Sequence, residues 1–97
     1  MELNEESFEK FIRENDVCVV DFWAAWCGPC LMLAPKLEEA CKEKGIPLGK
    51  VNVDSNRELA SKFGVMSIPC VILFRNGKEA DRIIGNVPKE RISAFLG

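Results

Sequence analysis

The first apolar stripe in the chain has helical spacing. Phe8, Phe11 and Ile12 recur at three- and four-residue intervals among polar neighbours, which predicts a helix from about Glu5 to Asn15. Asn4 can cap it, and Leu3 and Phe8 sit at the spacing of a hydrophobic staple. Met1 to Leu3 reads as a short edge strand. The pattern then changes. Val17-Cys18-Val19-Val20-Asp21-Phe22-Trp23 is apolar on both alternating faces, as a central strand covered on both sides should be, with Asp21 the one exception. A longer helix is predicted over Gly28 to Lys44, with Leu33, Leu37, Ala40, Cys41 and Lys44 along one side. Pro35 falls inside it and should kink it, because its ring nitrogen cannot donate to the Leu31 carbonyl. Gly45 is a stop residue.

Leu48 to Val53 is the next strand, and a strand, helix, strand order implies a parallel pair with a right-handed crossover. Ser55 or Asn56 is expected to cap a short helix through Phe63, which Gly64 ends. Cys70 to Arg75 and Lys78 to Ile84 form two strands joined by Asn76-Gly77, a dipeptide suited to a two-residue type I′ turn. Pro88 is expected to open the last helix as its first residue, with Ile92, Phe95 and Leu96 facing inward. The elements add up to an α/β fold: a central mixed β-sheet, parallel in its first half and antiparallel in its second, flanked by helices on both faces.

Composition narrows the function. With 97 residues the chain is expected to be a single domain over 1–97, and 47% hydrophobic against 29% charged residues is a globular balance. A net charge of -2 from 13 basic and 15 acidic residues offers no concentrated basic face, so nucleic acid is not an expected partner. No apolar run approaches the ~18 residues of a membrane span. The acidic, amphipathic start is unlike a secretion signal. A cytoplasmic monomer is the resulting expectation. Five cysteines cannot all pair internally, and a structural disulfide framework is not expected in such a compartment. The chain has no histidine, which excludes Ser-His and Cys-His nucleophile pairs and histidine-bearing zinc sites.

Trp26-Cys27-Gly28-Pro29-Cys30 lies where a strand ends and a helix begins. Cys27 should stand at the helix N-terminus, where free backbone N–H groups and the helix dipole favour a thiolate. At the ordinary pKa of ~8.5 only about 3% of a thiol is ionised at pH 7, so modest stabilisation changes its reactivity greatly. Cys30 lies one turn along the same face, further inside the helix. Cys27 would attack a substrate disulfide, and Cys30 would then resolve the mixed disulfide. Pro29 stiffens the first turn at little cost, and Trp26 can shield the sulfurs. The competing reading of a Cys-x-x-Cys is half of a zinc site, but Cys18, Cys41 and Cys70 are not spaced as a second half.

These residues resemble the thioredoxin family over nearly the whole chain. The resemblance is carried by Val20-Asp21-Phe22-Trp23-Ala24-Ala25-Trp26-Cys27-Gly28-Pro29-Cys30, Met32, Ala34-Pro35, Lys50-Val51-Asn52-Val53-Asp54, Ser67-Ile68-Pro69, Phe74, Asn76-Gly77 and Gly85. Thioredoxin is itself a standard example of a lowered cysteine pKa in this motif. The resemblance implies a thioredoxin fold with four helices, reduction of protein disulfides without a bound cofactor or metal, and a thioredoxin reductase as electron donor. It implies that Asp21 is a buried carboxylate beneath the cysteines with Lys50 as its companion. Pro69 would be a cis-proline facing the disulfide. Ile68 and the loop at Gly85 would line the docking surface with Trp26, Gly28 and Pro29. Three features depart from the pattern. Leu31 stands where the family usually has lysine, Cys70 where threonine is usual, and the stretch before Lys50 is shortened.

Asp21 in a covered strand is either a strand-end carboxylate reaching solvent or a proton acceptor for Cys30. Lys50 is either that acceptor's companion or a plain surface lysine. Packing accounts for Cys18, Cys41 and, by base rate, Cys70. The leading reading is a thiol–disulfide oxidoreductase that reduces protein disulfides through Cys27 and Cys30. The alternatives are a glutaredoxin-like or isomerase-like activity, or a thioredoxin-fold module that binds a metal or an iron–sulfur cluster.

Overall fold

The computed structural model describes residues 1–97. The elements run α1 (Glu5–Glu14), β1 (Val17–Trp23), α2 (Gly28–Lys44), β2 (Leu48–Asn52), α3 (Arg57–Lys62), β3 (Cys70–Arg75), β4 (Lys78–Ile84) and α4 (Lys89–Leu96). The sheet order is β2-β1-β3-β4. β1 pairs in parallel with β2 and antiparallel with β3, and β3 pairs antiparallel with β4. The apolar strand β1 is thus internal, as its sequence requires, and its C-terminal end delivers the chain into α2.

Alternation along β1 divides the core. Cys18, Val20 and Phe22 point to one face, where Phe8, Phe11 and Ile12 of α1 and Leu59 and Ala60 of α3 cover them. Val19 points to the other, beneath Leu33, Leu37, Ala40 and Cys41 of α2 and Ile92, Phe95 and Leu96 of α4. Phe8, Phe63 and Phe74 pack ring against ring at centroid distances of 5.2–5.7 Å, within the favourable range for aromatic pairs. Each such side chain contributes roughly 1.5–3 kcal/mol on burial.

The ends of the elements follow local chemistry, with some corrections. Asn4 and Ser7 form a reciprocal capping box on α1. Gly45 ends α2 in a left-handed conformation. Asn76 and Gly77 both have positive φ, as a type I′ turn demands. Met1 to Leu3 is not a full strand: a single bridge joins Glu2 to Lys50. Lys44 is not on the packed side of α2, and its ammonium donates instead to the Gly97 carbonyl at 3.0 Å. Asn56 occupies the N-cap of α3, but its side chain makes no capping bond and donates to the Asn52 carbonyl at 3.0 Å. Pro88 is the N-cap of α4 rather than its first residue, because its ψ of 155° is extended and not helical. No helix is long and apolar enough to cross a membrane.

Candidate active site

Cys27 is the N-cap of α2 and Cys30 lies in its first turn. The two are joined as a disulfide with a Cα–Cα separation of 5.2 Å, inside the ordinary range for such a bond. The Cys30 backbone N–H donates to Cys27 Sγ at 3.2 Å. That is the hydrogen bond a helix N-cap requires, made here to sulfur instead of oxygen. No acidic side chain stands in the first turn of α2 to oppose negative charge at this end. The arrangement therefore favours a thiolate on Cys27 once the bond is reduced.

Both cysteines are nearly covered, at 4% and 2% exposure, among Ala24, Trp23, Val53 and Ile68. The Ile68 carbonyl oxygen lies 3.9 Å from Cys27 Sγ, and the Ile68-Pro69 bond is cis. Gly85 donates its backbone N–H to the Pro69 carbonyl at 2.8 Å, so the Gly85 loop abuts the segment facing the sulfurs. The fold thus brings Cys27, Cys30, Ile68, Pro69 and Gly85 to one end of the molecule. Trp26 stands open beside them at 70% exposure, and its indole Nε1–H donates to Asp54 Oδ2 at 2.8 Å. Asp54 was legible only as part of a motif. Its contact with Trp26 spans 28 residues, which no local pattern encodes.

Asp21 is fully buried, and neither carboxylate oxygen has a hydrogen-bond partner. The reading of a strand-end carboxylate that reaches solvent is therefore wrong. Burial pushes its pKa from 3.8 to about 6, against a smaller opposing pull from the Lys50 ammonium. Asp21 and Lys50 are register partners across β1 and β2. Lys50 makes no direct bond to the carboxylate; its ammonium sits 5.2 Å from the centroid of the Trp23 ring. Lys50 thus acts on Asp21 through its field.

Cys70 is settled by register. It pairs with Phe22 and shares that residue's face, in the core covered by α1 and α3 and away from α2. Burial raises its thiol pKa, against a lesser pull from the Arg82 guanidinium, whose Nη1 lies 3.9 Å from the sulfur. Cys18 and Cys41 are buried as well, and burial raises each to about 11, so neither is a ready nucleophile. Cys70→Ala is expected to cost roughly 1 kcal/mol for the cavity it leaves. The reduction potential and turnover should not change. Denaturant melts and a redox titration check this, and a shifted potential would place a third thiol in the site.

Leu31 is 54% exposed, and with exposed Trp26 and Met32 beside the cysteines on the chain it gives this end of the molecule an apolar rim. The apolar Leu31 leaves that rim with one cation fewer than the family pattern would supply.

Comparison with known proteins agrees with this geometry. The family model described as Thioredoxin matches residues 1–97. The chain is 46% identical to a thioredoxin of Alicyclobacillus acidocaldarius over 99% of its own length and 93% of the relative's. It is 47% identical to a thioredoxin of Staphylococcus aureus over 86% of its length and 82% of the relative's. Among solved structures, mitochondrial thioredoxin 3 of Saccharomyces cerevisiae in its oxidised form superposes with a TM-score of 0.90 at 30% identity, covering 99% of this chain and 92% of that one. A thioredoxin of Plasmodium falciparum superposes equally well, at 0.90 and 30% identity over 98% of this chain and 94% of that one. Neither the glutaredoxin-like nor the metal-binding alternative is favoured by these likenesses. A close cysteine pair at a helix start, on this fold and with these relatives, leaves one conclusion: the chain belongs to the thioredoxin family and is a thiol–disulfide oxidoreductase.

Proposed function

We propose that this protein is a general reductant of protein disulfides, with Cys27 as attacking thiolate and Cys30 as resolving thiol. The observation that carries this reading is the Cys27–Cys30 pair at the N-terminus of α2, with the Cys30 N–H turned to Cys27 Sγ. In the proposed cycle Cys27 Sγ⁻ attacks one sulfur of a client disulfide. The client S–S bond breaks, a Cys27–client bond forms, and the other client sulfur leaves as a thiolate and takes up a proton. Cys30 then loses its proton to Asp21, directly or through water, and attacks Cys27 Sγ. The mixed disulfide breaks and the client's second sulfur leaves. Two electrons have passed to the client, and Cys27–Cys30 is oxidised.

A thioredoxin reductase is the proposed donor of the two electrons that restore the dithiol. Lys50 tunes Asp21 by its field. Trp26, Gly28, Pro29, Ile68, Pro69 and Gly85 form the proposed docking surface for the client. The proposed setting is the cytoplasm, and the proposed working unit is a monomer with one domain over residues 1–97. The test is reduction of insulin by the purified protein with dithiothreitol as donor. Catalysis well above the donor alone is expected, and a rate equal to the donor alone would refute the reading.

The rim gives a separate prediction. A charge at position 31 should alter encounter with charged partners more than the chemical step. Leu31→Lys is expected to change the salt dependence of turnover with a reductase while leaving exchange with a small disulfide almost untouched. Rates measured across an ionic-strength series check this; an equal effect on both reactions would remove docking as the explanation.

A further inference from the structure

Lys36 stands one turn beyond Met32 on α2, half-buried, and its ammonium reaches across to the segment between β4 and α4. It donates to Asn86 Oδ1 at 2.7 Å and to the Val87 carbonyl oxygen at 2.8 Å. The Asn86 amide nitrogen faces Met32 Sδ at 4.0 Å, so the same side chain touches both turns of the helix. At its other end the segment is held by the Gly85 N–H on the Pro69 carbonyl. Of the N–H groups of Gly85, Asn86 and Val87, that of Gly85 alone bonds to another backbone group. Val87 also packs its side chain on the α2 and α4 core. Exposed Asn86 therefore has no backbone tie of its own and is held by its side-chain contacts to Lys36 and Met32. Gly85 has a φ of 94°, a conformation that L side chains rarely adopt and that glycine, lacking a Cβ, takes without strain.

We propose that Lys36 is a positioning residue for protein substrates: it fixes the Gly85–Val87 segment against the helix that carries Cys27 and Cys30. The inference rests on the reading of the Gly85 loop as part of the client docking surface. Two charge-assisted hydrogen bonds from one ammonium hold an acceptor side chain and an acceptor backbone group at a fixed distance from α2. The client strand that lies across Pro69 and Gly85 then meets a preformed surface and loses less freedom on ordering it. A small disulfide reaches the sulfurs without using that segment, so its reaction does not depend on Lys36. The hydrogen bonds link residues 50 and 51 positions apart, and no local motif signals them.

The experiment compares Lys36→Met, Lys36→Arg and Asn86→Ala with the parent, on insulin and on a small aromatic disulfide. The parent must turn over both substrates. Its failure on insulin would refute the proposed function itself, which is distinguishable from any result for Lys36. With an active parent, Lys36→Met is expected to raise KM for insulin by about fivefold at nearly constant kcat, as loss of positioning should. Exchange with the small disulfide should stay unchanged. Lys36→Arg keeps the donors and should restore most of the lost KM. Hydrogen exchange at the Gly85 amide, the one N–H of the segment that bonds to another backbone group, should quicken in Lys36→Met and not in Lys36→Arg. If Lys36→Met fails to fold, Asn86→Ala, at an exposed position, is expected to show the same KM effect. An unchanged KM for insulin in Lys36→Met, or in Asn86→Ala where it stands in, would overturn the proposal. So would an equal change on both substrates.

Discussion

Cys27→Ser is expected to reduce turnover of a protein disulfide to that of the dithiol donor alone. The loss should be about two orders of magnitude or more, the scale on which covalent catalysis disappears with its nucleophile. The cause is local. Cys27 is the N-cap of α2, its Sγ receives the Cys30 N–H, and no first-turn carboxylate opposes a negative charge there. A serine hydroxyl can take the same capping bond, so helix and fold should persist while the nucleophile is gone. Stopped turnover, with the far-ultraviolet spectrum of the parent and the melting temperature of the reduced parent, is therefore the expected pair of results. Full activity in Cys27→Ser would move the attacking sulfur elsewhere.

The second large effect belongs to Asp21. Its folded pKa is about 6 against 3.8 in the ordinary state, chiefly through burial. Between these values the folded protein holds a proton that the unfolded chain has released. Stability therefore falls as pH rises through that window, and the full cost is present above it. The cost is roughly 3 kcal/mol at pH 7 and above. Asp21→Asn removes the titration but leaves a buried amide without partners, so the expected gain at pH 8 is smaller, roughly 1–2 kcal/mol. Near pH 4, where the parent carboxyl is already neutral in the folded state, the gain should be gone and the unpartnered amide should leave the variant the less stable of the two; denaturant melts at the two pH values measure this. Activity should move the other way. If Asp21 accepts the Cys30 proton, Asp21→Asn slows turnover by about tenfold or more at pH 7. The difference should close as pH falls below about 6, where Asp21 itself is protonated. Equal turnover of the two proteins across neutral pH would remove the proton-transfer role.

Much of this architecture was legible because the local signals agreed with the global fold. The apolar run Val17 to Trp23 became the central strand at the predicted bounds, and Asn76-Gly77 became the turn that its residues favour. The cysteine motif was legible for the same reason: strand end and helix start can be read from the residues between them. What escaped were contacts set by tertiary register. Cys70 could face either side of β3 until its pairing with Phe22 fixed the side. Trp26 to Asp54 and Lys36 to Asn86 join segments far apart in sequence. Asn56 looked like a cap by type, yet its amide found the Asn52 carbonyl, a competing bond of equal local plausibility. Gly49 is legible in kind. A glycine inside a strand often marks a close approach, and a Cβ there would press on the Leu3 side chain, so Leu3 can seat over β2 only because that position is glycine.

The central claim is that Cys27 attacks and Cys30 resolves, with the other three thiols outside the chemistry. Its most direct test is mass mapping of the Cys30→Ser variant after reaction with a disulfide-bonded protein. Without the resolving sulfur the mixed disulfide should accumulate. The account predicts one stoichiometric bond, on Cys27, with Cys18, Cys41 and Cys70 still free. A client bonded to any of those three, or no trapped client at all from a protein whose parent is active, would contradict it.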